Sequence, residues 1–327
     1  MTTTRRRVVQ APLAALAALA PATKLFAREE RPLTLILAPS NLGLRPPRPG
    51  HQPGTWRAPQ ALMAAGLASA LNARQVLPLG RPTYFFGAQP GTPIRNGRSI
   101  RAFSLLLADA VHDVLEKGGF PLVIGGDCSI LLGGLCGLRL AGGRGLVHVD
   151  GHSDFYQLGA HETSLGSAAG MDLALASGRG DPLVTNLPGA GPPLARDEDI
   201  VQIGERNAPQ DRDRIPGIRI MQITAEHALA NGISAAAANA VAKLESGGIR
   251  RAWLHVDLDV LDQKVMPAVD SPGSPGLDFA QLSALVGALY RSGRIAGADF
   301  AIYDPELDPD RRYAHPIAQC IARALRE

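Results

Sequence analysis

The stretch that decides the fold is Gly145-Leu146-Val147-His148-Val149-Asp150-Gly151-His152-Ser153-Asp154, in which a short, largely apolar run leads directly into acids and a histidine. A short run of this kind is typical of a strand buried on both faces. Alternate side chains of an extended segment point the same way, so Asp150, His152 and Asp154 can face one cavity. The stretch therefore predicts a strand that ends in a polar site.

Two further polar clusters follow predicted strands in the same manner. Gly125-Gly126-Asp127-Cys128-Ser129 comes after the apolar segment Pro121–Ile124, and Asp257-Leu258-Asp259 comes after Ala252–Val256. Ligands of parallel α/β sheets bind outside the carboxyl ends of the strands. The three clusters are therefore expected to place acids, an imidazole and a thiol at one edge of one sheet.

Apolar segments of strand length alternate with helical patterns along the rest of the chain, which predicts an α/β fold with a mainly parallel sheet covered on both faces. The further strands are expected at Leu33–Ala38, Ile200–Gly204, Ile218–Ile223 and Ile295–Ile302. The helices are expected at Ala58–Ala73, Phe103–Leu115, Ile130–Leu140, Ser234–Glu245, Phe279–Tyr290 and Ile317–Leu325.

Composition excludes several classes of protein. The chain has 327 residues, of which 46% are hydrophobic and 19% charged, so it can bury a substantial core as a single catalytic domain over residues 28–327. The net charge of +3 is small and no basic stripe is interleaved with aromatics, so nucleic acid is not an expected partner. Three cysteines do not make a disulfide framework. A small-molecule substrate is the expected partner.

Clustered carboxylates repel one another, and their burial is costly unless cations neutralise them. Two divalent ions would supply that neutralisation. Carboxylate and imidazole ligands suit manganese, iron, zinc or nickel. The glycines before Cys128 do not form a phosphate-binding loop, because the Lys-Ser/Thr ending of such a loop is absent.

The ordered motifs resemble those of the ureohydrolase (arginase, agmatinase and formiminoglutamase) family. Its usual motifs are Gly-Gly-Asp-His-Ser, Asp-Ala-His-x-Asp and Asp-x-Asp-x-x-Asp. The Ala58–Leu62 segment, the Val201–Arg206 segment and the loop from Pro267 to Gly276 are also similar to family segments. The likeness extends from about Leu33 to the C-terminus, and it implies an arginase-like three-layer α/β/α fold and a trimeric or hexameric assembly.

The resemblance also implies a ligand set for two metal ions. One ion would be held by Cys128, Asp150, Asp154 and Asp257, and the other by Asp150, His152, Asp257 and Asp259. A hydroxide between the ions would be the nucleophile, because metal binding lowers the pKa of water toward neutrality. Asp154 could also orient that hydroxide. Mn²⁺ is the first expectation, with Ni²⁺, Fe²⁺ or Zn²⁺ as alternatives.

Cys128 departs from the family pattern, which usually has His at that position. A thiolate can ligate a divalent metal and adds one negative charge to the site, which favours tighter binding or a softer ion. The family branch that acts on N-hydroxylated arginine is similar in having Cys here. The alternative is a small buried thiol in an incomplete site.

The residues at the family's substrate-binding positions depart further from the family pattern. Ile302 stands where the family usually has a Glu that grips a guanidinium group, and Asp304 or Glu306 could compensate from nearby. The family's proton-shuttling His is missing before Gly170. His161 is the candidate proton carrier, and a solvent-exposed loop histidine is the competing interpretation. Arginine itself is therefore not the expected substrate.

Other polar residues near the motifs receive supporting roles. His148 and His255 lie two residues before Asp150 and Asp257, and we interpret them as supporting or core histidines because the family's ligand positions are already filled. Asp127 and Asp262 are expected to brace the ligand loops. Cys136 and Cys320 are expected to be buried apolar residues.

The first functional hypothesis is a binuclear metal-dependent hydrolase of a linear C–N bond, acting on a guanidino, N-hydroxyguanidino, formimino or related substrate. The alternative is a catalytically silent family member that binds metal or a partner. A zinc-dependent deacetylase shares the general fold, but its tandem His-His signature is absent.

The N-terminus resembles a twin-arginine export signal over residues 1–27. Arg5-Arg6-Arg7 precedes an Ala/Leu-rich stretch from Ala11 to Ala22, and small residues offer cleavage sites after Ala22 or Ala27. The apolar stretch is too short and weak for a membrane span. A periplasmic or exported enzyme is expected, or a cytoplasmic one if the segment is only a basic tail.

Overall fold

A computed structural model describes Met1 and residues 31–156, 165–206 and 218–326. Arg31–Glu327 forms one compact unit. The predicted export signal and His161 lie outside the described residues. All of the described strands and helices belong to this unit.

Within the described residues, eight parallel strands form one sheet in the order β2-β1-β3-β8-β7-β4-β5-β6. The strands are β1 (Leu33–Ala38), β2 (Gln75–Pro78), β3 (Phe120–Gly125), β4 (Leu146–Val149), β5 (Ile200–Ile203), β6 (Met221–Ile223), β7 (Ala252–Asp257) and β8 (Ile295–Ala301). Every residue of β3, β4, β7 and β8 is buried. Continuous burial explains why these strands are apolar runs, because a central parallel sheet is covered on both faces.

Ten α-helices cover the sheet within the described residues. They are α1 (Ala58–Ala64), α2 (Leu67–Leu71), α3 (Gly97–Glu116), α4 (Ile130–Leu140), α5 (Asp172–Ala176), α6 (Pro182–Thr185), α7 (Ala225–Asn231), α8 (Ile233–Ser246), α9 (Phe279–Arg291) and α10 (Ala314–Arg326). One layer contains α3 to α6, in mutual contact, and the other contains α1, α2 and α7 to α10. In the part of the chain that was described, no helix is long and apolar enough to cross a membrane. The fold is therefore the expected three-layer α/β/α arrangement.

The structure corrects two predicted helices and adds an edge strand. The helix expected over Ala58–Ala73 is two helices, which break at Gly66, where φ is +87° and a left-handed backbone suits glycine. Helix α3 begins at Gly97, six residues before the predicted start. Strand β2 was not predicted, because an exposed edge strand that contains Gln75 and Pro78 lacks the continuous apolar run of a central strand.

Candidate metal centre

Six side chains from three strand ends meet at the C-terminal edge of the sheet. This outer cluster consists of Cys128, Asp150, His152, Asp154, Asp257 and Asp259. Cys128 lies between β3 and α4. Asp150, His152 and Asp154 follow β4, whereas Asp257 ends β7 and Asp259 lies just beyond it. β4 and β7 are neighbours, and β8 separates β7 from β3, so the sheet order itself brings the three motifs together.

The outer cluster is tightly packed. The Cys128 thiol donates to Asp257 Oδ2 at 2.6 Å, and His152 Nδ1 lies 2.8 Å from Asp259 Oδ2 and 3.7 Å from Asp150 Oδ1. Asp150 Oδ2 is buried with no hydrogen-bond partner. Cys128 thus lies among the carboxylates rather than apart from them.

Burial and mutual repulsion dominate the electrostatics. Burial, followed by the charges of Asp154 and Asp259, raises the pKa of Asp150 well above its usual value. Burial and Asp259 raise the pKa of Asp257 to about 7. Burial and Asp257 likewise raise the pKa of the Cys128 thiol well above normal. Without a cation these groups favour their protonated forms, and a bound cation would reverse that preference.

Hydrogen bonds hold the ligand loops in place, as predicted for Asp127 and Asp262. Asp127 accepts from the Ser40 hydroxyl at 2.5 Å and from the Gly43 amide at 2.9 Å. Asp262 accepts from the Lys264 amide at 2.9 Å. Sequence reasoning assigned no role to Arg206, yet its guanidinium donates to the backbone oxygens of Asp259 and, at 3.0 Å, of Pro275.

A second group lies beneath the outer cluster and is fully buried. This inner cluster consists of His148, Asp172 and His255. His148 on β4 and His255 on β7 are register partners, and their rings stack with centroids 4.8 Å apart. Asp172 begins helix α5 and faces both rings. The two histidines therefore lie beneath the outer cluster, on the same face of the sheet.

The sequence alone did not indicate a role for Asp172 either. Its carboxylate lies 3.3 Å from His148 Nε2 and 3.6 Å from His255 Nε2. A fully buried Asp is rare unless it is paired, so an acid at the start of the apolar run Asp172–Ala176 was the available signal. Nothing in the spacing, however, indicated which residues it would meet.

A cavity of about 460 Å³ opens onto the outer cluster. Its lining includes five of the six outer residues; Asp150 and the inner cluster do not line it. The cavity is also lined by Arg45, Tyr156, Asp270 and Ile302. The cavity is large enough for a small molecule, and the outer cluster is exposed to whatever enters it.

Three residues of the cavity wall have a left-handed backbone. Asp154, Ser271 and Ile302 have φ values of 49°, 52° and 72°. A positive φ is unusual for any residue with a side chain and costs most in a β-branched one such as Ile302. The Ile302 amide donates to the Gly126 carbonyl at 2.6 Å, which ties this strained residue to the first ligand loop.

The two acids proposed to compensate for Ile302 are engaged elsewhere. Asp304 accepts from the Gly54 amide at 2.9 Å, and Glu306 lies 2.7 Å from His51 and 3.0 Å from Arg57. Both acids line a neighbouring cavity and not the one above the outer cluster. His161, the candidate proton carrier, lies outside the described residues.

A three-layer α/β fold with clustered Asp, His and Cys at the carboxyl edge of a parallel sheet defines a class, the metal-dependent hydrolases. Comparison with known proteins then identifies the family. The Arginase family model matches residues 35–326, and the chain belongs to that family, whose members are hydrolases of C–N bonds in amidines and guanidines.

Individual relatives support the assignment to this family. The chain is 29% identical to an arginase of Bacillus caldovelox over 296 residues, which cover 87% of this chain and 94% of the relative. It is 26% identical to a formimidoylglutamase of Cupriavidus pinatubonensis, with 69% of each chain covered. The crystal structure of arginase from Bacillus subtilis superposes with a TM-score of 0.77 at 26% identity, covering 91% of this chain and 99% of that one.

Proposed function

We propose that this chain hydrolyses the C–N bond of a small linear substrate that carries a guanidino, N-hydroxyguanidino, formimino or related group, using two divalent ions held by the outer cluster. The observation that carries the proposal is the convergence of all six predicted ligands in one cluster, five of which line one cavity. Membership of the arginase family supports the reaction class.

The residues present fit a pair of cations. Asp150 Oδ2 is buried and unpartnered, and buried carboxylates whose pKa values are raised lack a compensating positive charge. Cys128, Asp150, Asp154 and Asp257 would hold one ion, and Asp150, His152, Asp257 and Asp259 the other. When bound, the metal pair would supply a water molecule activated for attack at neutral pH.

The surrounding chain would position the substrate. Tyr156 and Ile302 present largely apolar surface to the cavity, and Asp270 and Arg45 give it one charge of each sign. Asp154 is buried on the cavity wall, where its carboxylate could orient the attacking water. The thiol of Cys128 would become a thiolate ligand and favour softer ions such as Zn²⁺ beside the expected Mn²⁺.

Metal analysis combined with a substrate panel tests the proposal. The full chain would be loaded with Mn²⁺ or Zn²⁺ and assayed for release of urea, ammonia or hydroxyurea from guanidino and formimino compounds. Turnover that requires added metal is expected. Bound metal without turnover on the whole panel would instead support a silent family member, an alternative favoured by Ile302 in place of the family's Glu.

Substitution of Ile302 by Glu is expected to raise kcat/KM for guanidino compounds relative to formimino compounds. A carboxylate at this wall would pair with a cation, and a hydrogen bond to a charged group is worth about 1.5–3 kcal/mol, or roughly 10- to 100-fold. Steady-state kinetics on both compound classes would measure the ratio. Ile302→Gln is the matched control, since it has the same length without the charge; an equal gain in Gln would refute the charge argument.

A further inference from the structure

Several unpartnered polar atoms lie in and beside the inner cluster. Within the described part of the chain, His148 Nδ1, His255 Nε2, Asp172 Oδ2 and Asp150 Oδ2 are buried without a hydrogen-bond partner. Such atoms cost free energy in a protein interior unless something compensates them. A single ligand among His148, Asp172 and His255 would engage the last three of these atoms; His148 Nδ1 lies on the far side of its ring from Asp172, which Nε2 faces.

His255 is oriented like a metal ligand. Its Nδ1 lies 2.5 Å from Asp299 Oδ1, and Asp299 is held in turn by the indole N–H of Trp253. A carboxylate at Nδ1 fixes the tautomer with the proton on Nδ1 and leaves the Nε2 lone pair free. This arrangement is the usual support of metal-binding histidines. Here the free Nε2 points toward Asp172 Oδ2, 3.6 Å away.

The donor spacing suits coordination better than hydrogen bonding. Asp172 Oδ1 lies 3.3 Å from His148 Nε2, and Asp172 Oδ2 lies 3.6 Å from His255 Nε2. Asp150 Oδ2 lies slightly farther away, 3.7 Å from His148 Nε2. Ligands around a tetrahedral ion with bonds of about 2.0–2.2 Å are separated by roughly 3.3–3.6 Å. Most charge-assisted hydrogen bonds are shorter, at about 2.7–2.9 Å.

The balance of charges in the two clusters also favours a third bound cation. Asp150, Asp154, Asp257 and Asp259 balance two divalent ions in the outer cluster. Ionised Cys128 and Asp172 add two negative charges that this pair does not neutralise.

We propose that the inner cluster is a third cation site, in which His148, His255 and Asp172 bind one divalent transition ion directly beneath the two-ion centre. Two imidazoles and one carboxylate suit Zn²⁺, Fe²⁺ or Co²⁺ better than Mg²⁺ or Ca²⁺. Asp150 Oδ2 is within reach as a shared ligand. The inference rests on the proposed function only in taking the outer cluster to hold two ions.

Counting Co²⁺ ions tests the site without an activity assay. The metal-free full chain would be loaded with Co²⁺, desalted and analysed for cobalt per chain, and its near-ultraviolet thiolate-to-cobalt absorption would report occupancy beside Cys128. Three ions are expected in the wild type. Asp172→Asn and His148→Phe are each expected to hold two and to keep the thiolate absorption.

Asp199→Asn is the matched control. Asp199 is also buried, but it immediately precedes β5, at the opposite edge of the sheet, and this variant is expected to keep three ions. Two ions in the wild type with the thiolate absorption present would overturn the third site and leave the two-ion centre intact. Three ions in both inner-cluster variants would overturn the assignment of residues. One ion or none in the wild type would overturn both sites.

Discussion

Replacement of Asp257 by Asn is expected to abolish metal binding at the outer cluster and to lower turnover by more than about 10³-fold. This loss exceeds the roughly 10²–10³-fold loss that is typical when one preorganised active-site donor is removed. Asp257 ends β7 and is almost fully buried. It would contact both ions, and Asn would remove a negative charge without changing the size of the side chain. Its Oδ1, which accepts from the Asp259 amide at 2.8 Å, would be retained.

Metal content and steady-state kinetics would be measured on the same preparations. Metal affinity should fall by more than the roughly 10- to 100-fold that loss of an outer-shell partner costs. Asp262→Asn is the matched control, since Asp262 lies on the same loop but is only partly buried and braces the Lys264 amide. It should keep its metal and its turnover. Two tightly bound ions in Asp257→Asn would contradict the assigned ligand set.

The parts of this site that the sequence predicts are those that depend on local geometry. Asp150, His152 and Asp154 alternate after a strand, as do Asp257 and Asp259, and parallel strands end at one edge of the sheet. The shared edge brings these residues together, but the segments do not stay extended as alternation requires: Asp154 has a φ of 49°, and Asp259 lies in the short 3-10 helix Leu258–Val260. The same reasoning finds β3, β4 and β7, because their continuous burial requires apolar runs.

The remaining parts depend on tertiary contacts that no local pattern encodes. Asp172 reaches the site because α5 packs against α4 within one layer, a contact between segments that are distant in sequence. The pairing of His148 with His255 requires the order and register of β4 and β7. Arg45 reaches the cavity from a loop after β1, and a loop of that kind carries no periodicity from which its path could be predicted.

The metal-free protein is expected to be less stable at pH 8 than at pH 5. Burial, with repulsion from neighbouring carboxylates, raises the pKa values of Asp150, Asp154, Asp172 and Asp257 in the folded state. Between the ordinary Asp value near 4 and these raised values, the folded state holds more protons than the unfolded state. The free energy of unfolding therefore falls as pH rises through this window.

The buried histidines His148 and His255 do not reverse this fall in the free energy of unfolding with rising pH. Burial lowers the pKa of His148, which opposes the trend below about pH 6.5. Burial also lowers the pKa of His255, but Asp299, Asp257 and Asp259 together outweigh burial, so the net pKa of His255 is raised and this residue adds to the trend. For Asp257 alone, a shift from 3.8 to about 7 corresponds to a free energy on the order of 4 kcal/mol.

Bound metal should invert the pH dependence, because cations bind the deprotonated ligands and stabilise the fold most where those ligands are ionised. Thermal unfolding at pH 5 and pH 8, with a chelator or with saturating Mn²⁺, measures both cases. In the chelator, Tm should drop by about 10 °C between the two pH values, given roughly 2–4 °C per kcal/mol for large domains. Asp257→Asn should show a smaller drop, since it removes one titrating group. A metal-free Tm that rises from pH 5 to pH 8 would show that another cation already neutralises the buried carboxylates.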